Sequence, residues 1–259
     1  MQVIKVGSDI FGYELQGKKE AQTVIFSNSL GTSLSLWEGQ AMSLRDHCRV
    51  LRYDTRGHGQ SAKNKGPYSI EQLGTDVIAL ADTLGIDRFS FCGISMGGLI
   101  GQWLGIHAPD RIKKLILCNT AARLGTEDAW LERAALVRSR GMGPVVAGTP
   151  GRWFTPDYTS SHAVEVRARM DELMQTDPEG YASCCEAIAY SDFRTRLGEV
   201  KASTLVVAGT HDPVTTPADS DYIAQRIPGS IRIDLDASHL SNVEANDAFN
   251  EAITKFLAV

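Results

Sequence analysis

Five residues, Gly93-Ile94-Ser95-Met96-Gly97, hold a serine between glycines two positions to either side. This spacing suits a nucleophilic serine on a sharp turn, with its hydroxyl presented to a substrate. The glycines matter because a strand and a helix must pass closely on either side of such a turn. The same residues could also make an ordinary glycine-rich corner, so partner residues have to decide. A serine hydroxyl needs a base, the base needs an acid to orient it, and the developing oxyanion needs hydrogen-bond donors.

Among six histidines, His239 stands in "DASHLSNVE". Ser241 and Glu244 have the spacing of a capping box. That box would start the last helix near Ser241 and leave His239 in the loop before it. Asp212, in "VVAGTHDPVTTP", closes an apolar run and is the preferred acid; Asp234 and Asp236 are rivals close to His239. Ser95, Asp212, His239 is a recognised nucleophile–acid–base order along a chain. One oxyanion donor is expected from the backbone N–H of Met96. The other is expected from Leu30 in "SNSLGTSLSLW", where Gly31 lets the loop turn tightly. The alternative for each of these residues is structural: a solvated loop histidine, a helix-capping carboxylate, a plain polar loop.

The surrounding elements place these residues at strand ends. Strands are expected at Val3–Val6, Phe11–Gln16, "TVIFSN", "RVLRYD", "RFSFCG", "RIKKLILCNT", "STLVVAG" and "IRIDL". Between them, "SIEQLGTDVIALADTLG" repeats apolar residues at three- and four-residue steps, with Ser69 and Gln72 as a capping pair. Strands alternating with helices predict an α/β fold with a mostly parallel central sheet and helices on both faces. The alternation stops at Ala121 and resumes near residue 200. Residues 1–120 and 201–259 therefore read as the core, and 121–200 as a helical insertion. Within it "EDAWLERAALVRSRG", "SSHAVEVRARMDELMQT" and "EGYASCCEAIAY" are helical, and "GMGPVVAGTPGRWFTP" is expected to be a loop.

Composition narrows the function. The chain has 259 residues, 26 basic and 31 acidic, for a net charge of −5. Mild acidity without basic clusters argues against a nucleic-acid surface. No run approaches the ~18 apolar residues of a membrane span, and the start of the chain lacks the apolar core of a signal peptide. Five cysteines, an odd number without metal-ligand spacing, point to a reducing, cytoplasmic compartment. No metal or cofactor is expected.

Together, these motifs resemble the α/β-hydrolase family over the whole chain. The resemblance implies that fold, a Ser95–Asp212–His239 triad, and a cap formed by 121–200. "YDTRGHGQS" looks like the loop the family often carries after its fourth strand, which implies that His58 braces a loop. The chain departs from many relatives at Asn28-Ser29-Leu30-Gly31, where His-Gly is common; the donors there are backbone groups. "FSNSLGTSLSLW", "GISMGGLIGQWLG", "CNTAARLGTEDAW" and "SHLSNVE" resemble 3-oxoadipate enol-lactonases. The implied substrate is a small carboxylated lactone, hydrolysed without a cofactor. A general carboxylesterase or perhydrolase, and a non-catalytic binding protein, remain alternatives. A haloalkane dehalogenase is disfavoured, because its nucleophile is Asp and residue 95 is Ser.

The insertion adds an independent clue. It holds nine arginines and no lysine. Arginine presents a planar fork that matches a carboxylate. On the helix Glu127–Arg140, Trp130 and Arg133 share a face. They are candidate substrate contacts; the alternative is a solvated arginine and a core tryptophan.

Overall fold

The computed structural model describes residues 1–259. Eight strands form one sheet, in the order β1-β2-β4-β3-β5-β6-β7-β8. The hairpin of β1 (Gln2–Val6) and β2 (Asp9–Gln16) is antiparallel, and β2 pairs antiparallel with β4 (Arg49–Tyr53). Every other pair is parallel: β3 (Thr23–Ser27) with β4 and with β5 (Phe89–Ile94), then β6 (Ile112–Cys118), β7 (Ser203–Gly209) and β8 (Ile231–Leu235) in turn. Strands β3 and β5 are buried along their whole length, as expected where helices cover both faces. The fold agrees with the α/β expectation, and the two N-terminal strands run slightly longer than predicted.

Parallel strands all release the chain at the same edge. The loops after β3, β5, β6, β7 and β8 therefore gather there, and open α/β sheets bind ligands at that edge. Ser95, Asp212, His239 and Leu30 all lie just past those strand ends.

Helix α1 (Glu38–Leu44) follows a short 3-10 turn at Leu34–Trp37, and α2 (Ile70–Thr83) packs on the sheet through Leu73, Val77, Leu80 and Ala81. The Ser69 side chain accepts from Gln72 N–H at 3.1 Å, as its cap spacing predicts. Helix α3 (Met96–His107) follows β5 without an intervening residue beyond Ser95.

Between β6 and β7 there is no strand. Helices α4 (Glu127–Arg140), α5 (Gly143–Ala147), α6 (Pro150–Trp153), α7 (Pro156–Ser161), α8 (Ala163–Met174) and α9 (Pro178–Ala189) fill that interval. The expected loop over 141–156 is thus mostly short helices. Pro144, Pro150 and Pro156 sit in their first turns, where proline's missing N–H costs nothing and its fixed φ favours helix.

A second correction concerns the C-terminal helix. It is two helices, α11 (Ser241–Glu244) and α12 (Asn246–Leu257), after α10 (Pro217–Arg226) and β8. The Ser241–Glu244 capping box does not form. Ser241 Oγ donates to Asn119 Oδ1 instead, and the Glu244 carboxylate accepts from Ser238 N–H at 2.8 Å. Tertiary partners outcompete the local cap. No helix is long and apolar enough to cross a membrane.

Candidate active site

Ser95 carries φ +58° and ψ −114°, a strained combination for a residue with a Cβ. Its N–H donates to Cys118 O at 3.0 Å, and its carbonyl accepts from Thr120 Oγ1 at 2.8 Å. These bonds from β6 and the residues after it hold the turn in place. A Cβ on Gly93 would come 2.1 Å from Gly97 O, and one on Gly97 would come 2.3 Å from Ser27 O. Neither approach is tolerable, so both glycines are needed for the strand–turn–helix geometry. The N-terminus of α3 points at Ser95 and favours negative charge there.

His239 is 2% exposed, and its Nδ1 lies 2.8 Å from Asp212 Oδ2. The carboxylate is densely held. Its Oδ1 accepts from Val214 N–H at 2.7 Å and Thr215 N–H at 3.0 Å; its Oδ2 accepts from Thr215 Oγ1 at 2.6 Å and Asn119 Nδ2 at 3.0 Å. Burial alone would push the Asp212 carboxyl up. The His239 charge, its hydrogen bond and the Thr215 donors outweigh burial and hold it down at about 2. Asp212 is therefore an anion at neutral pH, suited to orient an imidazole and to stabilise its protonated form. The rivals are engaged elsewhere: Asp236 pairs with His211 at 2.8 Å in the open, and Asp234 pairs with Arg232 at 2.7 Å.

The Leu30 and Met96 amides donate to no acceptor in the protein, while their neighbours do: Gly31 N–H bonds His58 Nε2 at 2.8 Å and Gly97 N–H bonds Asn28 O at 3.1 Å. Gly31 takes φ +82°, and a Cβ there would strike Leu173 at 2.4 Å. His58 is buried, and burial pushes its pKa down to about 4. It is neutral near pH 7, so Nε2 accepts from Gly31 while Nδ1 faces Arg56 O at 3.3 Å. A loop-bracing role fits this placement.

Ser95, His239 and Leu30 open on one pocket. No hydrogen bond joins Ser95 Oγ to His239, whose Nδ1 is held by Asp212. Trp130 and Arg133 line the same pocket. The Arg133 guanidinium lies 5.0 Å from the centre of the Trp130 ring, whose Nε1 is anchored to Leu124 O at 2.7 Å. A serine and a histidine at one cavity, with a buried carboxylate behind the histidine and two free amides beside the serine, form an arrangement suited to acyl transfer.

Comparison with known proteins agrees with this chemistry. The alpha/beta hydrolase fold family matches residues 22–245. The chain belongs to the α/β-hydrolase family. This hydrolase is 49% identical over 241 residues to 3-oxoadipate enol-lactonase 2 of Acinetobacter baylyi, a match covering 93% of the chain and 90% of that relative. Its structure superposes on the enol-lactonase of Burkholderia xenovorans LB400 with a TM-score of 0.97 at 46% identity, over 100% of both chains. A thermophilic esterase from Thermogutta terrifontis, solved with malate bound, gives 0.95 at 26% identity, over 100% of this chain and 98% of that one.

Two contributors to the hydrolase's site were not singled out in the sequence. Asn119, directly after β6 with φ +41°, donates to both Asp212 Oδ2 and Ser238 O, tying Asp212 to the loop that carries His239. Arg152, on α6, joins Arg133 at the pocket wall. The nine arginines of the insertion sort by their partners. Arg123, Arg138, Arg169, Arg194 and Arg196 are ion-paired. Arg140 and Arg167 are exposed to solvent. Arg133 and Arg152, partly buried and facing the pocket, pair with no carboxylate. Burial, then the Arg133 charge, pulls the Arg152 pKa down. Nearby, the 2%-exposed Tyr181 also faces the pocket, with its hydroxyl beside the Arg133 guanidinium. No periodicity in the sequence could have separated Arg152 from its paired neighbours.

Proposed function

We propose that this hydrolase opens 3-oxoadipate enol-lactone to 3-oxoadipate through a serine acyl-enzyme, a step of bacterial aromatic-compound breakdown. The observation that carries the substrate is the pair of unpaired guanidiniums, Arg133 and Arg152, on the wall of the pocket that holds Ser95 and His239. Two mutually repelling cations with no carboxylate in contact, facing a cavity, favour an anionic occupant. The 49% identity to an enol-lactonase supports the same reading.

In this mechanism Arg133 and Arg152 hold the substrate carboxylate, and Trp130 flanks the lactone ring. His239 takes the Ser95 proton as Oγ bonds to the lactone carbonyl carbon. The Leu30 and Met96 amides receive the oxyanion. The ring C–O bond then breaks and its electron pair leaves as an enolate, which takes the proton held on His239 and becomes the ketone, so that the imidazole is neutral again. Enolate is a good leaving group, so this step asks little of the protein. Water, deprotonated by His239, attacks the acyl carbon; Ser95 recovers its proton and 3-oxoadipate departs. Asp212 holds the imidazole throughout. The five buried thiols, none in a disulfide, support a cytoplasmic setting.

The deciding experiment compares the enol-lactone with its neutral counterpart, the same ring bearing methyl in place of carboxymethyl. A kcat/KM preference of about 100-fold or more for the carboxylated lactone is expected from two charge-assisted contacts. Equal rates would make the protein a general small-ester hydrolase. Ser95→Ala should abolish turnover of both with the fold intact.

A further inference from the structure

The Glu244 carboxylate lies between two parts of the chain that the reaction needs in register. On one side, its Oε2 accepts from Ser238 N–H at 2.8 Å, one residue before His239. On the other, its Oε1 accepts from Thr155 N–H at 3.1 Å and from Thr155 Oγ1. Thr155 caps α7 and lies three residues after Arg152. Alongside, Leu240 N–H donates to Trp153 O at 3.1 Å, and Ser238 Oγ reaches Arg152 O at 3.4 Å. Residues 152–155 of the insertion are thus bonded along residues 238–240 of the core, and Glu244 is the one carboxylate in the seam. Ser238, His239 and Leu240 are all buried, so a carboxylate accepting bonds there is costly to disturb.

We propose that Glu244 is a positioning residue that locks the Arg152 segment onto the His239 loop, so that the base and the anion-binding guanidinium are set as one unit. The base half stands on the hydrogen bonds alone. The Arg152 half rests on the carboxylate reading given above. Glutamine at 244 keeps the shape but leaves one acceptor oxygen where two are in use, and it removes the charge. It can satisfy Ser238 or Thr155, but not both.

The test measures kcat and KM separately on the carboxylated enol-lactone and on its neutral methyl counterpart, with thermal melts of each variant. Glu244→Gln should lower kcat about tenfold on both substrates, through misplacement of His239, and should also raise KM for the carboxylated one alone. Thr155→Val removes only the hydroxyl on the insertion side; it should raise KM for the carboxylated lactone several-fold and change kcat much less. A Glu244→Gln protein with wild-type kcat and KM, whatever its melting point, overturns the proposal. Unchanged KM in both variants with a lowered kcat overturns the Arg152 half. A substrate preference that ignores charge even in the wild type refutes the lactonase reading, while kcat on the neutral lactone still decides the role of Glu244.

Discussion

Asp212 Oδ2 meets His239 Nδ1 at 2.8 Å although 27 residues separate them. Neighbouring parallel strands β7 and β8, in register at Gly209 and Leu235, make the meeting possible. The pair is ordered by Thr215 and Asn119, which both donate to Asp212. Asp212→Asn should keep the fold but present an amide to Nδ1, favouring the wrong tautomer. A loss in kcat of about 10³–10⁴ is expected, read by steady-state kinetics beside an unchanged circular dichroism spectrum. A loss under tenfold would remove Asp212 from its proposed role.

The unpaired guanidiniums give a second prediction. Arg133→Met and Arg152→Met should each lower kcat/KM for the carboxylated enol-lactone by about 10- to 100-fold, as expected for a charge-assisted bond of ~1.5–3 kcal/mol. The ratio of carboxylated to neutral lactone turnover should fall in both. Kinetics on the two lactones measure it directly, and a constant ratio would assign the arginines to structure alone.

Acid should weaken the fold in two stages. His58, held down at about 4 from an ordinary value near 6.5, is neutral when folded but protonates when unfolded. Between those values the unfolded chain binds more protons, so stability is complete above about pH 6.5 and falls as pH drops toward 4, by ~3 kcal/mol. Asp212, held at about 2, adds a further loss as pH falls below about 4. Melting temperatures across pH 7 to 4 test the first stage. His58→Gln, which has no proton to take up there, should flatten that slope.

The elbow glycines give a stability prediction. Gly97→Ala would press a methyl against Ser27 O at 2.3 Å in a region where backbone cannot yield. A destabilisation of about 3 kcal/mol is expected, near 10 °C in melting temperature, seen by calorimetry. Wild-type melting would show that β3 and α3 can separate without cost.

Much of this molecule is legible in the chain alone, because some of its constraints are local. Glycines two residues either side of Ser95, between a β-rich run and a helical one, mark a turn whose sterics only those residue types satisfy. Alternation of strands and helices dictates a parallel sheet, and a parallel sheet sends Leu30, Ser95, Asp212 and His239 to one edge. Where partners come from distant sequence, local pattern misleads or is silent. Ser241 and Glu244 have the spacing of a cap, yet each finds a better partner across the fold, in Asn119 and in Ser238 with Thr155. The nine arginines look alike in sequence. Only packing divides them into five ion-paired side chains, two solvated ones and the two left facing the pocket, because a guanidinium's role depends on which carboxylates the tertiary structure brings within its reach.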